Sequence, residues 1–381
     1  GILPTDSLMQ RTFDASNSYR SSFHKLEHEF SIQFDFSFNE HVVNIYPRLI
    51  FVPTREHLDY VRGRIDTSVV RHVAPLRPSL TFNISFGKFG SSSLTYECFT
   101  RYPDLENLIP YTDDSSPLSI VKSNPNLKPS HNHSFNLSTM FYWPKNQQTF
   151  SNNVTYYFSS SSFGNVTRYN QLTGGRIYQM ENLKGDMNLN ENCDYMCSLG
   201  DHLQIKFNDN IHYNTSVGKI CVGTDPEVRE NRMRLFSSNG NLSGSYSFTK
   251  LIGTLRGILQ YEHMTNLLQP VNNTSRWDYG GCVETKWRNR LANVSTDFTL
   301  LRRRGYVEPS MNKWIKLWNL SLERKIFNYH GTLLLTLSDI FHEKTNYQYY
   351  IYENYHAETW SDIAVNYVLF TFRYNLKKKK K

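Results

Sequence analysis

Phe30-Ser31-Ile32-Gln33-Phe34-Asp35-Phe36-Ser37-Phe38 alternates apolar and polar residues without a break. Successive side chains of an extended chain point to opposite faces. The five apolar residues therefore share one face, and Ser31, Gln33, Asp35 and Ser37 share the other. A helix would scatter the same residues around its axis. The pattern returns further along. Leu251, Leu255, Leu259 and Tyr261 fall on one face of a second stretch, with Thr254, Arg256, Gln260 and Glu262 opposite. Gly331, Leu333, Leu335 and Leu337 alternate with Thr332, Thr336 and Ser338. Strands follow one another with scarcely a helical run between them, so the expected class is all-β and antiparallel. A soluble sandwich and a membrane barrel both hide one face of a sheet. Charge on the second face favours a wet lumen, which makes Gln33, Asp35, Arg256 and Glu262 the candidate lumen-facing residues.

Composition agrees with that choice. The 381 residues are 14% aromatic, with 25 Tyr and 24 Phe, and no apolar run is long enough for a transmembrane helix. A barrel is polar on average because an equally large lumen face dilutes its lipid face. The net charge of +8 includes the run Lys377 to Lys381, read as a solvated basic tail at 377–381. Basic and aromatic residues do not cluster elsewhere, so no nucleic-acid partner is expected. The five cysteines (98, 193, 197, 221 and 282) lack a metal-binding spacing, and neither metal nor cofactor is expected. Eleven Asn-x-Ser/Thr sequons occur, as expected of a chain this rich in Asn, Ser and Thr. They would be glycan sites only in a eukaryotic secreted protein.

The alternation marks strands near 27–38, 41–52, 79–87, 91–100, 133–142, 152–160, 184–197, 203–220, 240–248, 251–261, 278–288, 293–302, 313–324, 331–341 and 363–376. Tight connections at 38–41, 87–90 and 248–251 alternate with long ones at 53–78, 101–132, 221–239, 262–277 and 342–362. Short turns at one end and long loops at the other are the organisation of an outer-membrane barrel.

Two motif regions add a family resemblance. Arg101-Tyr102-Pro103-Asp104-Leu105 is followed by Ser116-Pro117-Leu118 and then by Asn124-Pro125-Asn126-Leu127-Lys128-Pro129. Near the C-terminus, Leu337-Ser338-Asp339-Ile340-Phe341 precedes Tyr367-Val368-Leu369-Phe370-Thr371-Phe372-Arg373-Tyr374-Asn375-Leu376. These resemble the loop and closing-strand signatures of Bacteroidetes outer-membrane β-barrels of the TonB-dependent-receptor type. Ser123 and Ser130 replace the family's Gly and Glu, and Leu376 stands where an aromatic is usual. The resemblance spans about residues 27–376 and implies a structural role for the loop Asn124 to Pro129. It also makes Tyr367, Phe370, Phe372, Tyr374 and Leu376 the terminal-strand motif.

Fifteen strands are an odd number, whereas bacterial single-chain barrels use even numbers. The resemblance implies a barrel of about 22 strands with a plug. The expected organisation is an extracellular loop remnant at 1–26, barrel strands at 27–376 and a periplasmic tail. The expected partners are outer-membrane lipid, an N-terminal plug and barrel portion of the same protein, and through that plug TonB. The chain opens Gly1-Ile2-Leu3-Pro4 with no basic or apolar leader, consistent with an upstream part.

Catalytic signatures are missing. Gly174-Gly175 lacks a phosphate-loop spacing, and no Gly-x-Ser-x-Gly or His-Glu-x-x-His occurs. His24 and His28 sit in a strand-like segment, and Asp113-Asp114 reads as an ordinary acidic loop. The expectation is a non-enzyme. One function is uptake of a scarce solute such as a metal chelate, a glycan or a peptide. The alternative is a structural barrel that scaffolds surface lipoproteins or a secretion complex.

Overall fold

The computed structural model describes residues 18–40, 42–169, 174–221, 227–327, 330–344, 347–351, 356–361 and 366–375. One antiparallel sheet runs through the molecule. Its first strand is Phe30–Gln33 continued by Phe36–Phe38. Then follow Val43–Phe51, Leu76–Ser85, Gly90–Arg101, Ser130–Trp143, Gln148–Ser159, Met187–Leu199 and Leu203–Cys221. Val228–Ser247, Leu251–Asn266, Thr274–Arg288, Asn293–Arg304, Trp314–Ile326, Gly331–Ser338 and Tyr367–Tyr374 complete it. Each strand pairs with the next in this order, so the sheet is a meander.

The connections sort by end. Residues 39–42, 86–89, 144–147, 200–202, 248–250, 289–292 and 327–330 join strands at one end. Residues 52–75, 102–129, 160–186, 222–227, 267–273, 305–313 and 339–366 join them at the other. The expected alternation holds, but several expected loops are largely strand. Residues 228–239 of the expected loop 221–239 belong to Val228–Ser247. The expected loop 262–277 shrinks to 267–273. A hairpin, Thr54–Arg62 and Ile65–Val73, fills most of 53–78. The segment expected as a loop remnant contains the strand Tyr19–Glu27, which pairs with that hairpin. Within 342–362, Tyr347–Ile351 pairs with His356–Trp360. The physical reason is common to all. Above the lipid both faces of a strand are wet, so the apolar alternation that reveals a strand fades there. Val228-Arg229-Glu230-Asn231-Arg232 shows the effect.

Register separates two faces. Phe36 lies opposite Ile45, Ile45 opposite Phe82, Phe82 opposite Leu94 and Leu94 opposite Leu137. Further round, Leu255 lies opposite Val283, Val283 opposite Phe298, and Phe298 opposite Trp318. Leu335 and Leu333 lie opposite Phe370 and Phe372. Followed strand by strand, Phe30, Phe34, Phe36, Leu255, Leu259, Phe370 and Phe372 share this apolar face. Leu255 and Phe370 are each 65% exposed. So wide an apolar surface is compatible with a hydrocarbon solvent and not with water. The other face carries polar pairs: Asn319 Nδ2 donates to Asp297 Oδ2 (2.8 Å), Asn208 Nδ2 to Asp194 Oδ1 (2.7 Å) and Ser138 Oγ to Asn153 Oδ1 (2.7 Å).

Aromatic residues bracket the apolar band. Trp277 and Trp287 stand on the same face of one strand, as do Phe236 and Tyr246 of another. Ten residues at about 3.4 Å each, tilted about 45°, rise about 24 Å, close to the ~25 Å band of such barrels. The 20-residue strand Val228–Ser247 rises about 48 Å on the same reckoning and must project beyond about 30 Å of hydrocarbon.

The first three strands project as well. Tyr19–Glu27, Thr54–Arg62 and Ile65–Val73 continue them as a separate three-stranded sheet. Pro53 and Pro75 sit at the breaks, where each removes a ladder donor. Single bonds carry the pairing across, His28 N–H to Pro53 O (3.1 Å) and Val52 N–H to Pro75 O (3.2 Å).

Among the described residues the two outermost strands have one ladder partner each. Phe30–Phe38 pairs with Val43–Phe51, and Tyr367–Tyr374 with Gly331–Ser338; they do not pair with each other. Leu376 and residues 377–381 lie outside the described residues, as do residues 1–17 of the expected remnant.

Replacing Leu255 by Arg should destabilise the membrane-inserted sheet by about 2–4 kcal/mol. The same change at Ser243, on the polar face, should cost much less. Urea unfolding from lipid vesicles measures both, and equal losses would reverse the assignment of the faces.

The candidate functional site: the rim and the polar face

The motif loop Asn124 to Pro129 sits where the sheet is incomplete. The strand Met187–Leu199 stops pairing with its neighbour at Thr215, yet that neighbour continues to Cys221. A rim hairpin, Ser162–Tyr169 and Arg176–Leu183, occupies the free edge above, with Val166 opposite Lys219 in parallel pairing. Gly164 permits this approach, because a Cβ there would stand 2.7 Å from the Val217 carbonyl oxygen. Ser119–Lys122 adds to the far side of the hairpin. The chain then enters the motif.

The loop's polar groups are used within the chain. Asn126 N–H donates to Asn124 Oδ1 (3.0 Å), a turn that asparagine commonly closes. Asn124 Nδ2 donates to Met180 O (2.8 Å). Asn182 binds both sides of Lys128, accepting from its N–H and donating to its carbonyl, each at 2.8 Å. Gln179 Nε2 donates to Ser123 O (2.9 Å). Leu127 and Ser123 are buried, and Ser130 at the strand entry is buried against Ser159 Oγ (2.9 Å). Pro125 and Pro129 restrict the backbone beside these contacts.

A small core lies next to the motif. Leu58 and Tyr60 of the projecting sheet pack with Leu105 and Ile109 of the short helical segment after Pro103. Arg71 donates to Glu56 Oε2 (2.7 Å) and to Pro103 O (2.7 Å), with its guanidinium 5.3 Å from the Tyr102 ring centre. Buried Arg62 pairs with Asp113 Oδ2 at 3.0 Å and lies over Tyr111. Hydrogen bonds from Ser115 and Arg62 hold the Asp113 carboxyl below its ordinary range. Asp113 thus serves as an internal ion-pair partner. His24 lies across from His57 on paired strands, so it does not form a helical pair with His28.

On the polar face, Arg256 pairs with Glu284 and Glu262 with Arg276. Gln33 Nε2 donates to Asp35 Oδ1 at 2.8 Å. Thr371 shares this face. Sequence reading missed a network at the rim. Tyr306 OH donates to Asp278 (2.9 Å), and Arg276 and Arg303 approach the Tyr306 ring at 5.4 and 5.6 Å. Burial first, then Asp278, push the Tyr306 phenol well above its ordinary value. Arg62, Arg71, Gln179 and Asn182 were missed as well. No local signal marks them, since Asn182 meets Lys128 across 54 positions.

A cavity of about 540 Å³ opens on the polar face at the short-turn end. Gln204, Ser245, Thr254, Glu284, Lys286 and Arg288 line part of it. Its mixed charge can hold a polar solute or a chain segment. Among the described residues, no three His, Cys, Asp or Glu side chains converge as metal ligands.

The apolar face carries a polar stripe. Asn152, Cys193 and Asp209 lie in one cross-strand row, with Glu191 and Ser238 in the next. Asn152 Nδ2 donates to Glu191 Oε1 (3.0 Å) and Ser238 Oγ to Asp209 Oδ1 (3.1 Å).

A family model described as an outer membrane protein beta-barrel family matches residues 61–374. No curated protein and no solved structure matches the chain.

Replacing Pro125 and Pro129 together by Gly should destabilise the assembled protein by about 1–2 kcal/mol, because the loop then loses more entropy on ordering. A lower heat-denaturation midpoint and reduced surface display are expected. An unchanged midpoint with altered ligand affinity would make the loop a binding element instead.

Proposed function

The chain belongs to the outer membrane protein beta-barrel family and forms transmembrane strands of an outer-membrane barrel; from that premise we propose that it is the wall of a TonB-dependent receptor of the Bacteroidetes type, taking up a scarce solute. The observation that carries the reading is the pair of unjoined edges, Phe30–Phe38 and Tyr367–Tyr374. Such edges in lipid would leave backbone N–H and C=O groups unpaired, at several kcal/mol per group. Further strands from the N-terminal part of the same protein close the cylinder, to about 22 strands. Barrels of that size have a plugged lumen and transport. The ion pairs of Arg256, Arg276 and Arg303 on the polar face support a water-filled interior, as does the polar cavity at the short-turn end. The chain has no catalytic role in this reading.

Growth on single limiting nutrients tests it. Cells lacking the gene should fail on one class of metal chelate, glycan or peptide, and TonB-depleted cells should fail on the same class. Normal growth on every source would remove the transport reading.

The polar stripe favours a second reading, a barrel that scaffolds a surface lipoprotein or an assembly complex. Carboxylates in the middle of a lipid-facing band are costly unless another protein covers them. Replacing Glu191 and Asp209 by Leu distinguishes the cases. A scaffold loses its co-purifying partner while growth is unchanged. A lipid-facing stripe yields a more stable protein with the same partners.

A further inference from the structure

We propose that the apolar face, at its long-loop end, holds the phosphate of an anionic outer-leaflet glycolipid between Arg302, Arg304 and Lys316. The proposal rests on the membrane-barrel architecture and not on the transport reading. Long connections mark the extracellular end of such barrels, so this rim meets the outer leaflet.

Register places the three cations together. Arg302 lies opposite Tyr279 on one neighbouring strand and Trp314 on the other. Arg304 lies opposite Trp277, and Lys316 opposite Leu300, one row nearer the membrane centre. Arg303, between the two arginines, turns to the polar face, where it meets Asp278 and Tyr306. Strand alternation therefore sends Arg302 and Arg304 to the lipid side. Trp277, Tyr279 and Trp314 are 40%, 36% and 49% exposed and mark the headgroup level, where amphipathic rings are favoured.

The charge balance of the two faces differs. On the polar face Arg256, Arg276 and Arg303 each have a carboxylate partner. Among the described residues, no ion pair is formed by Arg302, Arg304 or Lys316. The neighbouring carboxylate, Glu343, accepts the Lys316 backbone N–H (2.5 Å). Three cations with no side-chain ion pair, two of them arginines away from Glu343, stand at the edge of a hydrocarbon band and suit an anion that is itself amphipathic. Guanidinium groups grip phosphate oxygens in a planar fork, and the lysine stem can lie along acyl chains while its ammonium reaches upward. A phosphorylated glycolipid supplies both parts. A soluble phosphate supplies only the charge.

The test uses the full protein extracted from outer membranes, in wild-type form and with Arg302→Gln, Arg304→Gln and Lys316→Gln combined. Arg304→Gln alone, at an exposed strand end, serves should the triple variant fail to assemble. Lys250→Gln on the opposite rim is the control. Co-purified phosphorylated glycolipid per protein is measured by mass spectrometry. Rebinding is then measured in phosphatidylcholine nanodiscs with monophosphoryl lipid A, with its dephosphorylated form, or with inorganic phosphate. Affinity should fall about fivefold for each charge removed. Dephosphorylated lipid should bind weakly and inorganic phosphate should not compete. Unchanged glycolipid binding in the variants, or equal binding of the dephosphorylated form, overturns the site. Competition by millimolar phosphate overturns the lipid as its occupant.

Discussion

Every backbone N–H and C=O inside a bilayer must find its partner in the protein, because hydrocarbon offers none. The rest of this molecule depends on that constraint. It explains why the strands form one continuous meander from Phe30 to Tyr374. It also makes the two outermost strands the most consequential feature of the sheet. Among the described residues each is bonded along one edge only.

Where the lipid ends, the rule relaxes and the architecture becomes irregular. The projecting three-stranded sheet, the hairpin at 162–183 and the short helix after Pro103 build a rim from unlike pieces. Their joints are polar and specific. Asn182 bridges Lys128, Arg71 ties Glu56 to Pro103, and Arg62 reaches Asp113. The motif loop belongs to this framework, with its amides turned inward and its prolines stiffening the return to Ser130. Such a rim can hold long loops in place without a hydrophobic core of domain size; it has small clusters, one around Leu58, Tyr60, Leu105 and Ile109 and one of Met233, Met264 and Met311.

The two faces of the sheet differ in how they settle charge. On the polar face Arg256, Arg276 and Arg303 each meet a carboxylate. The apolar face leaves a polar stripe around Asp209 and a cationic patch around Arg302, each in a setting where lipid tails alone would be a poor neighbour.

Much of the fold was legible in the sequence because lipid imposes a strict period. Phe30 to Phe38 alternates because one face of the strand is apolar and the other wet, and Leu255 and Phe370 followed from the same rule. The placement of long connections at one end was legible because turn residues break the period. The strand character of Val228 to Asn239 and of Thr54 to Val73 was not legible, since water on both faces erases the pattern there. The site was legible only as a motif. Its partners Gln179 and Asn182 come from a hairpin more than fifty positions away, brought near by the free edge above Met187. The polar stripe and the cationic patch are likewise tertiary. Each strand contributes one or two unremarkable residues, and only register, which the sequence does not state, lines them up on one face.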